Sequence, residues 1–214
     1  MILFRPVGLE ELFLIYASRM RAFPPRLPDQ PIFYPVTTEA YARQIAKDWN
    51  TKSGTLAGFV TRFSVDDAYA SKFSRRVVGS RDHEELWVPA EDLAEFNDHI
   101  IRAIEVVAAY FGDGYRGHLA ENSGLKGKDA TAQLVTLAGA LAYNGFDVVC
   151  EMAANPAAIF LNYVFWQQHD FTDQGLDESA RDELLLNLKK AWGRGERASL
   201  DLGLAPSKPL MEEL

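Results

Sequence analysis

An α+β fold with an N-terminal mixed β-sheet is what this sequence predicts, and three observations carry it. Short alternating or apolar runs fill the first half, helical stripes separate them, and the second half is mostly of helical period. At 214 residues, with 48% hydrophobic and 24% charged side chains, the chain has an ordinary globular composition and can bury a substantial core.

The first elements follow from local pattern. Residues 2–7 are apolar and close on Gly8, a first strand, and residues 9–19 place Leu9, Leu12, Phe13 and Tyr16 on one helical stripe. Residues 23–31 hold four prolines in nine positions, which bars both a helix interior and a central strand and leaves a stiff extended loop. Residues 32–34 form a very short strand. Thr37 or Thr38 then caps a helix reaching Trp49, with Tyr41, Ile45 and Trp49 at four-residue spacing.

Phe59, Thr61, Phe63 and Val65 alternate with Val60, Arg62 and Ser64, the period of a strand. Further strands are expected at 76–79, 85–88 and 104–110, with a helix opening at Pro89 and continuing through Leu93, Phe96 and Ile100. Five glycines between 112 and 127 mark a boundary, giving domains at 1–111 and 112–214. Beyond it the pattern gives a helix at 129–143, a buried strand at 146–152, a helix from Asn155-Pro156 to Gln168 and a last helix capped by Asp177. The C-terminal part is thus expected as a helix-strand-helix lobe packed on the sheet, ending in a tail from Gly193 that is either a strap or loosely ordered.

Charge and cysteine usage restrict the function classes. A net charge of −8 repels phosphate backbones, which disfavours nucleic acid as a partner. The 134–143 apolar stretch is too short to span a bilayer, so no membrane role is expected. Cys150 is the single cysteine; it is expected buried and inert, the compartment cytoplasmic and reducing. The four histidines lack metal-ligand spacing, so no metal is expected, and the aromatic residues Phe160, Tyr163, Phe165, Trp166 and Phe171 read as core.

The element order of the first half, with Leu3-Phe4-Arg5-Pro6-Val7-Gly8, Phe33-Tyr34-Pro35-Val36 and Glu84-Glu85-Leu86-Trp87-Val88-Pro89, resembles the ADP-ribosyltransferase fold in an outlying bacterial branch. The resemblance implies NAD as co-substrate, no metal, and mono-ADP-ribosyl transfer to an acceptor such as a protein. It also implies that Arg5 holds the NAD phosphates, Tyr34 borders the nicotinamide, and Glu85 bonds the nicotinamide ribose as the catalytic carboxylate. His83 then stands where the family tunes acceptor choice beside the cofactor. Chemically, a carboxylate against the ribose stabilises the oxocarbenium charge that develops as nicotinamide leaves. Pro6 directly after Arg5, and the lack of Ser-Thr-Ser after the second strand, favour a rival reading: a non-catalytic binding or immunity-type protein that keeps the fold without NAD chemistry. A third reading, phosphate transfer from RNA onto NAD, needs basic residues that this acidic chain supplies poorly.

Overall fold

The computed structural model of the chain describes residues 1–80 and 83–206. Strand β1 (Ile2–Val7) leads into α1 (Leu9–Ala17), the short β2 (Ile32–Phe33) and α2 (Glu39–Asp48). Then come β3 (Ala57–Ser64), α3 (Asp67–Ala70), β4 (Ser74–Val77), β5 (Glu84–Pro89), α4 (Leu93–Asp98) and β6 (Glu105–Phe111). Four helices complete the chain: α5 (Ala130–Tyr143), α6 (Gly145–Ala154), α7 (Pro156–Gln168) and α8 (Glu178–Trp192). The fold is α+β.

The strands lie in two three-stranded sheets, ordered β1-β3-β6 and β2-β5-β4, and every pairing between them is antiparallel. The expected mixed sheet is therefore replaced by antiparallel pairing. Val36 joins the two sheets by bridging Phe4 on one side and Glu85 on the other. Its N–H donates to the Phe4 carbonyl at 2.7 Å and its carbonyl accepts the Phe4 N–H at 2.9 Å. Pro35 offers no N–H to the ladder, so β2 stops at Phe33, although the Pro35 carbonyl still accepts the Leu86 N–H at 2.8 Å and Val36 still bridges Glu85.

Each face of this double sheet has its own apolar layer. Leu3, Val7, Phe33, Leu86 and Val88 belong to a large core that also takes in α1, α4 and the C-terminal helices. Phe4, Val36, Val60 and Ala108 lie in a smaller core with Tyr41, Ala42 and Ala46 of α2. Helix α2 presses so closely on β3 that a Cβ on Gly58 would stand 2.1 Å from the Ala46 carbonyl oxygen. Thr38 caps α2 as expected, its hydroxyl accepting the Tyr41 N–H.

The C-terminal part departs from expectation in one element. Residues 146–152 are helical, within α6, and the lobe contains no strand among its described residues. The Asn144 side chain accepts the Phe146 N–H and starts that helix, while Val148 and Met152, four apart, turn inward. Cys150 consequently faces outward and is exposed rather than buried. Phe146 is 68% exposed on the same helix.

Helix α7 is apolar on all sides and sits centrally, with Phe160, Tyr163, Phe165 and Trp166 buried; Phe171 beyond it is buried too, as the sequence leads one to expect. A buried amide ties it to the glycine-rich segment. Asn162 accepts the His118 N–H at 2.8 Å and donates to the His118 carbonyl and to Gln133 Oε1, both at 2.9 Å. Gly117, at φ +75°, permits this approach, since a Cβ there would stand 2.5 Å from Asn162 Oδ1. The tail straps back: Ala205 donates its N–H to the Val106 carbonyl at 2.8 Å. Among the described residues no single helix is long and apolar enough to cross a membrane.

Candidate functional site

Strand alternation decides which of the expected site residues can meet. Phe4, Val36 and Glu85 stand in one cross-strand row, so their side chains share a face of the sheet. Arg5, next along β1, must then point to the other face. Its contacts agree: the guanidinium lies over the ring of Phe33 at 4.6 Å and donates to the Tyr34 carbonyl at 3.3 Å. Arg5 Nε also donates to Glu11 Oε1 at 2.8 Å and a terminal nitrogen to Oε2 at 3.3 Å, a two-pronged clasp onto α1. Arg5 is 8% exposed.

Tyr34, His83 and Glu85 do come together on the α2 face. Glu85 Oε1 accepts a hydrogen bond from the Tyr41 hydroxyl at 3.3 Å, and Oε2 accepts one from Trp87 Nε1 at 3.2 Å. His83 stacks on Tyr41 with ring centres 4.0 Å apart and planes 11° from parallel. Tyr34 meets Trp87 edge to face at 5.2 Å. Burial and the adjacent Glu85 carboxylate both raise the Tyr41 hydroxyl above its ordinary pKa, so it remains a donor to Glu85.

Three contributors escape a sequence reading. Trp87 follows Glu85 by two on an alternating strand, a signal that was available. Tyr41 reaches the site from the first turn of α2, which no local pattern reveals. Arg76 pairs with Glu85 across β4 and β5 and carries its guanidinium 3.9 Å from the centre of the Trp87 ring. The result is a half-exposed platform of aromatic rings around a carboxylate with both oxygens engaged, with Arg76 of β4 beside it in the cross-strand register.

This arrangement can hold a flat or cationic group against Trp87, His83 and Tyr34, and can present a fixed negative charge to it. It does not place Arg5 beside Glu85. Among the described residues no three His, Cys, Asp or Glu side chains gather as a metal-ligand set. Comparison of the chain with family models, with curated proteins and with solved structures finds no match.

Proposed function

We propose that the chain is a non-catalytic binding protein whose recognition face is the platform of Tyr34, Arg76, His83, Glu85 and Trp87. The observation that carries this reading is the opposition of Arg5 and Glu85 across the sheet. A phosphate-holding arginine and a ribose-holding carboxylate must reach one dinucleotide from one side. Here Arg5 is spent on Glu11 and Phe33, as a tie between β1 and α1. Tyr, Trp and Arg are residue types that concentrate binding energy where proteins meet, so a protein partner suits the face.

A second reading is favoured by Arg76, which is the cross-strand partner of Glu85. In it the chain transfers ADP-ribose from NAD, with Arg76 holding the phosphates in place of Arg5 and Glu85 stabilising the oxocarbenium charge. Calorimetry with NAD, together with a nicotinamide-release assay, separates the two. The binding-protein reading expects neither heat of binding nor release at millimolar NAD. Saturable binding, with release that disappears in both Glu85→Gln and Arg76→Gln, overturns it in favour of the enzyme.

A further inference from the structure

Strand β6 is an outer strand of the β1-β3-β6 sheet, and the register fixes which of its backbone groups are left over. Phe4 gives both its N–H and its carbonyl to Val36, so Arg62, opposite Phe4 on β3, turns its own backbone groups away from β1 and toward β6. Pro6, with no N–H to give, stands opposite Val60 in agreement. The alternation carries Gly58 and Val60 along with Arg62, and they face Tyr110 and Ala108. Ala109 and Phe111 therefore point their N–H and carbonyl groups outward, and no hydrogen bond to the described residues meets them there.

The described chain covers only the first part of this edge. Ala205 donates its N–H to the Val106 carbonyl at 2.8 Å, and the Pro206 carbonyl then accepts from Arg62, whose cross-strand partner is Glu105, so the chain runs away from Ala109. The irregularity that skips Val107 lies on the same side. From Ala109 to Phe111 there is no proline, charge or bulge, the devices that keep an edge from pairing. A groove of about 430 Å³ opens along these three residues, bordered by Lys47 and Thr51 on the α2 side and by Phe165, Gln168 and His169 on the α7 side.

We infer that this edge, separate from the platform proposed above, takes an added β-strand from a protein partner with the pattern apolar-acidic-apolar. Main-chain bonds to Ala109 and Phe111 supply the attachment, and the flanking side chains supply the choice. Ala109 and Phe111 lie on the face of the large core, where Phe165 meets Phe111 edge to face at 5.1 Å and His169 stacks on Phe165 at 4.6 Å. The two partner residues opposite them therefore present apolar side chains. Tyr110 lies on the α2 face, and among the lining residues Lys47 is the only charged side chain, with no carboxylate to oppose an anion. The partner residue between the two is accordingly acidic. A second copy of β6 does not fit, because it brings its own α2 and α7 against the helices that border the groove.

The test is a residue-resolved NMR titration of the intact chain with the peptide acetyl-Ala-Val-Glu-Val-Ala-amide. The amides of Ala109 and Phe111 are expected to shift saturably. The same peptide N-methylated at both valines keeps its side chains but loses the two donors, and it is expected to shift neither. Exchanging the peptide's Glu for Lys should weaken binding about fivefold, the scale of turning one exposed ion pair into a repulsion, and Lys47→Glu should reverse the preference. A melting curve checks that the variant is folded. Absence of saturable shifts at millimolar peptide, equal binding of the N-methylated peptide, or an unchanged preference in Lys47→Glu would each overturn the inference. Shifts at Ala109 and Phe111 that grow with protein concentration alone would give the edge to a second copy and overturn it as well.

Discussion

At the scale of single residues, the position of Arg5 decides how the molecule is read. That residues 2–7 form a strand is evident from their apolar run before Gly8. The face on which Arg5 emerges is not, because it depends on the register of Val36 between two strands distant in sequence. The clasp on Glu11 gives Arg5 a structural role with a measurable consequence. Arg5→Gln removes one partner of a largely buried pair, for which losses of about 3 to 5 kcal/mol are usual. Glu11 is 23% exposed and can recover some solvation, so the expected loss is about 2 kcal/mol. Urea unfolding of the variant measures it. A loss below about 0.5 kcal/mol, the range of ordinary surface substitutions, would mean that Arg5 is not held as described.

His118 offers a second test at this scale. Burial holds its pKa below the ordinary histidine value, partly countered by Glu121, and its ring stacks on Phe13 at 4.9 Å. The native state therefore binds the His118 proton less readily than the unfolded chain. Its contribution to stability is complete above the unfolded pKa of about 6.5 and is lost as pH falls through that value toward the lower folded one. Unfolding free energies between pH 7 and 5 should decline less steeply in His118→Gln than in wild type. Parallel slopes would contradict the burial of an uncharged ring.

At the scale of elements, most boundaries follow from pattern, while the short α3 and residues 146–152 do not. Residues 146–152 are apolar and carry adjacent valines, which suits a short buried strand as well as a helix. Asn144 tips the balance by capping the turn that leads out of α5, and a helical period then turns Cys150 toward solvent. The thiol should accordingly react with Ellman's reagent in the native protein as fast as in urea-unfolded chain, within about threefold. Strong native protection would restore the buried position expected from sequence.

The contact of α2 with β3 gives a complementary pair of substitutions. Gly58→Ala drives a methyl into the Ala46 backbone and should cost about 2 to 3 kcal/mol by overpacking, since the atom met is backbone carbonyl, not a movable side chain. Gly139 lies inside α5 with nothing within 4 Å of its Cβ position, so Gly139→Ala should stabilise by about 0.5 to 1 kcal/mol. Thermal melts of both variants read opposite signs if the packing is right.

At the scale of the whole molecule, one apolar core runs from Leu3 on β1 to Leu202 in the tail, so the two sides of the glycine-rich segment share their interior. The α+β class and most of the element order are legible in the sequence because they rest on local periodicity. The site is legible only in part: Tyr34, His83 and Glu85 share a face, while Arg5 is parted from them by the pleat of the strand, and the cross-strand partner of Glu85 is Arg76.

The proposed separation of Arg5 from Glu85, and of this chain from NAD chemistry, meets its most direct test in an NMR titration of the amides of Arg5, Glu85 and Trp87 with NAD. The account predicts no saturable shift at any of the three. Saturable shifts at both Arg5 and Glu85, following a single dissociation constant, would contradict it and return both residues to one dinucleotide site.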